Sequence, residues 1–361
     1  MFTLPKRDLV RALERAAGIA SKRAIQPILK CARLSVAGST LTVQATDLTM
    51  AVTTSLPVTK SKRCDVAIEA DVLLTRVKSL EDGDVTVDVS SGKSATVRTT
   101  SARKFTVPIA SGEDFPMLAA PADAQPIVTL PSPTLRRLLD GVRYASSTDE
   151  TRAFINSVLL RVEPTSIFAA GTDGHRMAAR TAQVSCSVAE RLELLVPRAG
   201  IAHLIKIAEG DGNVTLAHHG TQIVATKDDT SFLLRTVEAQ FPPVDQFLGM
   251  ATEGAVTCDR ARLVEGIKAV VSACDQHGRV SLALAQDKIT VSASSPNGEF
   301  VDEMSAALDG RAQSMSYMHR YISEALESVS DDTVTLRYSG ELDPVVIRTA
   351  DTTMIVMPMR V

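Results

Sequence analysis

The sequence predicts an α+β protein in which a pair of helices packed on antiparallel sheet occurs three times. Segments with helical periodicity alternate with period-two runs bounded by Gly, Pro and Asp. Corresponding marks, Asp47, Asp173 and Asn297 and again Val85, Val214 and Val334, recur about every 120 to 130 residues. A length of 361 residues leaves room for about two or three domains. A period that long marks a domain rather than a solenoid repeat. The domains are expected at 1–120, 127–247 and 255–361, joined by an Ala/Pro-rich stretch at 119–126 and a second linker at 247–254.

In the first unit, 6–23 reads as a helix. Leu9, Leu13, Ala16, Ala17 and Ala20 form an apolar stripe, and Arg7, Arg11 and Arg15 step by four along another face. Strands are expected at 29–36, 40–45, 50–56, 85–89, 96–100 and 105–109, with a second helix at 71–80. The second unit repeats the order. Ser132 and Pro133 read as an N-cap and a first-turn proline ahead of Leu135, Leu138, Leu139 and Val142, with Arg136, Arg137 and Arg143 as the basic residues. Strands 157–162 and 166–170, a helix 197–209 and a strand 214–217 follow. The third unit carries Leu263, Val264, Ile267, Val270 and Val271 on its helix, strands 280–285 and 288–293, a helix 315–327, and strands 333–338, 344–349 and 353–359.

Composition narrows the function classes. No apolar run approaches the roughly 18 residues of a membrane span, and Met1–Arg7 lacks the apolar core of a signal peptide. Five cysteines without close pairs argue against a disulfide framework or zinc site and for a reducing, cytoplasmic setting. The formal net charge is −3, so any affinity for nucleic acid must come from uneven placement of charge. The six helical segments hold 19 Lys and Arg against 12 Asp and Glu, leaving 20 against 30 elsewhere. Basic helices in an acidic shell suit a protein whose helices face a phosphate backbone.

Specific motifs sharpen this. Ala45-Thr46-Asp47-Leu48, Asp114-Phe115-Pro116, Thr172-Asp173-Gly174-His175-Arg176-Met177, Phe241-Pro242 and the tail Val356-Met357-Pro358-Met359-Arg360-Val361 occur in this order along the whole chain. Together they resemble the bacterial sliding clamp family, the beta subunit of DNA polymerase III. The resemblance implies a non-enzymatic processivity factor without cofactor or metal. It implies a DNA clamp fold of three similar domains, two copies of which close head to tail into a homodimeric ring around duplex DNA. It also implies a partner groove at Ile155, Thr172, Gly174, His175, Arg176, Met177 and Pro242, with Gln246 and Phe247, and with Ile355, Met357, Pro358, Met359 and Arg360 from the last strand and tail. There the polymerase III alpha subunit, the clamp loader, other polymerases and repair proteins would insert a short peptide with a leading Gln and trailing Leu or Phe anchors. Where the family often carries an Arg at the groove rim, this chain has Asp245-Gln246-Phe247.

For ring closure the resemblance implies an edge carrying Arg103, Phe105 and Val107 facing one with Val270, Val271, Glu299, Asp302 and Glu303. Arg23 and Arg152 match DNA-facing family positions. Arg7, Arg11, Arg15, Arg136, Arg137 and Lys268 are added from the helix pattern. Two other readings stand beside this one: a multidomain hydrolase using Asp173 and His175, and a specialised second-copy clamp with altered partners. Ser91-Gly92-Lys93-Ser94 resembles a phosphate loop, but Val87 stands where the motif needs its first Gly, so a hairpin is expected. His218 and His219 read as an exposed loop without metal-ligand spacing.

Overall fold

The computed structural model describes residues 1–20, 24–99 and 103–359. The chain divides into two compact units, 1–133 with 202–236, and 134–201 with 237–361. The middle repeat contributes to both, because its strands pair with those of its neighbours. Thr230–Arg235 pairs antiparallel with Met50–Pro57 in the first unit, and Arg176–Gln183 with Thr352–Val356 in the second. A nine-stranded and a twelve-stranded sheet therefore run across the repeat boundaries.

In the first unit, α1 (Lys6–Ile19) follows a strand that the helical reading had passed over, Phe2–Pro5. Phe2 and Leu4 point into the core, and the strand pairs with Asp84–Asp88. The buried stripe of α1 is Leu9, Ala12, Leu13, Ala16 and Ile19, packed on α2 (Ala70–Lys78) and on Thr40–Thr46 and Met50–Pro57. Each fully buried Leu contributes about 1.5–3 kcal/mol of transfer free energy. A second unexpected strand, Cys64–Glu69, pairs with Cys31–Ala37. The sequence between Ser91 and Ser94 is a hairpin turn, with Gly92 at φ 69°. His218 and His219 are not a loop; they end the strand Asn213–His219.

The dividing line falls near the start of α3 (Ser132–Arg143) and inside α4 (Arg198–Ile207). Ser132 is not the expected N-cap. It is itself helical, its hydroxyl is buried without a partner among the described residues, and its N–H donates to the Gly212 carbonyl at 2.8 Å. In the second unit α5 (Val244–Leu248) is one short turn, α6 spans Arg260–Val270 and α7 spans His319–Glu327. Asp259 caps α6, its carboxylate accepting from the Arg262 N–H at 2.7 Å. The expected helix over 315–327 begins only at His319. Ser314–Met318 is a strand paired with Arg279–Leu284, which buries Met315 and Tyr317.

All five cysteines are free thiols. Burial raises the thiol pKa of Cys31, Cys64, Cys186 and Cys274, and pushes Cys258 up to about 12 with help from Asp259. Among the described residues no helix is long and apolar enough to cross a membrane.

Candidate functional site

The site is organised by the turn Thr172–Arg176. The Thr172 hydroxyl accepts from Gly174 N–H at 3.1 Å and donates to the Arg176 carbonyl at 2.6 Å. Asp173 accepts from the N–H groups of His175 and Arg176 through one carboxylate oxygen. Gly174 sits at φ 93°, where a side chain would be strained. The first repeat builds the same turn at Thr46–Met50, with Leu48 at φ 76° in place of the glycine.

Register then brings the C-terminus alongside. Met177 lies opposite Ile355 and Arg176 opposite Val356 in the sheet. Met357 N–H donates to the His175 carbonyl at 2.9 Å, and Met359 N–H to Ser316 at 2.7 Å. The tail is thus laid along the turn by backbone bonds. Ile155, Met177, Val244 and Ile355 form a buried floor, and Phe154, Phe247 and Met357 stand partly exposed at the rim. The cavity between them has a volume of about 160 Å³. A cavity of about 150 Å³ can hold a benzene ring, so this one has room for an aromatic or branched aliphatic side chain.

Of the expected groove residues, Ile155, Thr172, Gly174, Arg176, Met177, Pro242, Phe247, Ile355 and Met357 line this cavity. His175, Pro358 and Met359 line a wider adjoining recess that shares Gly174 and Met357 with it. Gln246 lines neither, and Arg360 lies outside the described residues. Sequence reasoning missed Phe154 and Val244 as wall residues. Arg152, expected to face DNA, belongs to the groove as well, its guanidinium 5.7 Å from the Phe154 ring centre.

Arg176 is a strut rather than a free wall residue. It is 5% exposed, and its guanidinium binds Asp173 at 3.1 Å, the Tyr144 carbonyl at 2.8 Å and Glu324, and lies 4.5 Å from the Tyr321 ring centre. Burial opposes ionisation of Glu324, but hydrogen bonds from Arg176 and Arg320 outweigh it, so its carboxyl pKa falls below the usual range. His175 stacks on Tyr321 with ring centres 6.1 Å apart. With Asp173 committed to the turn and Arg176, and the His175 ring to Tyr321, the two do not form the acid–base pair a hydrolase needs. Asp245, next to the groove's Val244 in sequence but lining a neighbouring recess, is held bidentately by Arg161 at 2.9 and 3.0 Å, which lowers its pKa.

The basic helix faces are partly neutralised. Arg7 is largely exposed, whereas Arg11 and Arg15 both bind Asp229 at 3.1 Å. Arg136 approaches Asp140, Arg137 pairs with Asp351 at 3.1 Å, and Lys268 pairs with Glu327 at 2.6 Å. Arg23 lies outside the described residues.

The open strand edges among the described residues include Lys104–Pro108, at the end of a four-stranded sheet, and the 298–305 part of Gly298–Asp309. Two residues expected at the seam are corrected. Val107 and Val270 are fully buried in their own cores, because the face that carries them points inward. Phe105 is half-buried, with the Arg76 guanidinium 5.9 Å from its ring centre, and Arg103 approaches Glu81. Val271 is half-buried, and Asp302 and Glu303 are ion-paired to Arg262 and Lys288, while Glu299 is exposed. The apolar residues that do emerge on the open stretch are Phe300 and Val301.

Three family models match in succession: the N-terminal domain of the DNA polymerase III beta subunit over 1–119, its central domain over 129–243 and its C-terminal domain over 250–360. The chain belongs to the DNA polymerase III beta subunit family. It is similar to the beta sliding clamps of Pseudomonas putida (25% identical) and Escherichia coli (24%), with 99% of both chains covered in each comparison. Among solved structures it superposes on the DNA polymerase III beta subunit of Thermotoga maritima with a TM-score of 0.94 at 20% identity, and on the Pseudomonas aeruginosa clamp bound to griselimycin with 0.93 at 24%. Each covers 100% of this chain and 99% of the other. A member of this family is a processivity factor and not an enzyme.

Proposed function

We propose that the protein is a DNA sliding clamp of three domains, 1–120, 127–247 and 255–361, working in the cytoplasm. Two copies close into a ring around duplex DNA and tether the replicative polymerase, with the clamp loader and repair proteins using the same groove. The observation that carries this reading is the groove itself, an apolar cavity with a rigid polar turn on one side and a backbone-anchored methionine tail on the other. Such a surface accepts short peptides with bulky apolar anchors. The cations on α1, α3 and α6 support a sliding role. Most of those argued to face DNA already share a carboxylate, so phosphate contacts would be numerous but weak. Asp245, neutralised by Arg161 where the family often has an arginine, supports a shifted partner preference within the same role.

The test is retention. The protein is expected to run near twice 38.5 kDa in solution, to remain on circular duplex after loading, and to be lost when that duplex is linearised. Equal retention on both forms would rule out encirclement.

A further inference from the structure

Beside the groove, the reverse of the Thr172–Arg176 turn closes a small recess of about 220 Å³. Its wall includes Arg176, Arg198 and Arg320, with Ser146, Ser147 and Tyr321 and with Asp173, whose carboxylate is bound to Arg176. We propose that this recess, which shares the Arg176 and His175 walls with the peptide groove, is a phosphate-binding site set apart from the basic faces of α1, α3 and α6.

Charge imbalance is the main argument. Arg176 is spent on Asp173 and Glu324, and Arg320 gives its Nε to Glu324 at 2.9 Å. Arg198 has only the Ser146 hydroxyl, at 3.1 Å from its Nε, and no carboxylate within ion-pair distance among the described residues. Its terminal nitrogens therefore lack an acceptor there. Burial, then the fields of Arg143, Arg176 and Arg320, lower its pKa, so the site already holds more positive charge than its two carboxylates balance. A tetrahedral oxyanion would accept from the planar guanidinium forks of Arg198 and Arg320 in charge-assisted bonds. The volume lies below that of ordinary small-molecule pockets, which favours a group the size of a phosphate. The same chemistry is offered by free phosphate and by the backbone of a nucleic-acid strand.

The experiment titrates the full-length protein with sodium phosphate against sodium chloride of equal ionic strength, following the arginine Nε–H NMR signals. A parallel titration with a short oligothymidylate follows fluorescence anisotropy. Saturable phosphate binding is expected, weakened about tenfold or more by Arg198→Gln and by Arg320→Gln. Groove peptide binding should be unchanged in both variants, and the unfolding midpoint should be unchanged in Arg198→Gln, whose side chain has no carboxylate partner among the described residues. If the oligothymidylate weakens in parallel, the phosphate comes from a strand; if only phosphate weakens, it is the free ion, and either result upholds the site. A non-saturating response, or equal affinity in wild type and both variants, overturns it. Loss of groove peptide binding by the wild type would instead count against the clamp reading alone.

Discussion

Arg176 shows how one side chain can serve a binding surface without touching its ligand. Its backbone closes the groove's turn, and its guanidinium ties that turn to α7 through Glu324. Arg176→Met should destabilise the protein by about 3 kcal/mol, because it removes the one buried cation that Asp173 and Glu324 share and leaves the Tyr144 carbonyl without its guanidinium donor; the shift in urea midpoint measures this. The acid limb should change too. Glu324, with its folded pKa depressed, contributes stability that is fully present above its unfolded value of about 4.3 and is lost as pH falls through the lower folded value. In Arg176→Met the slope of stability against pH should flatten across that window. Gly174 was legible through the motif that carries the family resemblance, and its positive φ is what the turn requires of it. The strut role of Arg176 was not, since its partners Tyr144 and Glu324 lie 32 and 148 residues away.

Among the elements, helices were legible from their stripes, while strand boundaries and faces were harder to read. Ser314–Met318 fits both periods until its pairing with Arg279–Leu284 is known. Phe105 and Val107 alternate correctly, but nothing local says that their face is the inner one. Arg152 was assigned to DNA because it matches a DNA-facing family position, and nothing in the sequence placed it beside Phe154 in the groove. On α1 the visible row of arginines hides a partner more than 200 residues away: Asp229 binds both Arg11 and Arg15. Asp229→Asn should free both cations. Affinity for linear duplex should then rise at low salt. The plot of log affinity against log salt should steepen by about 0.9 for each arginine that gains a phosphate. An unchanged slope would show that this face of α1 does not meet DNA.

At the level of the whole molecule, three repeats in the sequence become two units, because backbone pairing ignores repeat boundaries. The period identified the repeats but carried no information on which strands would bond across them. The open edge at 298–305 bears on assembly. If 298–305 meets the Lys104–Pro108 edge of a second copy, as proposed, Phe300→Lys adds a cation opposite Arg103 and Lys104, and it alters a side chain already facing solvent. Such a variant should fold normally yet sediment near 38.5 kDa; an unchanged dimer mass would remove this stretch from the seam.

The cysteines have a practical consequence. With every native thiol disfavoured as a thiolate, maleimide dyes should react with the native cysteines more slowly at neutral pH than with a fully exposed one. A single reporter introduced near the N-terminus of α1 through Arg7→Cys, where the side chain is exposed, would then take up the label preferentially, so passage along a duplex could be followed by fluorescence without first stripping the protein of its own sulfhydryls.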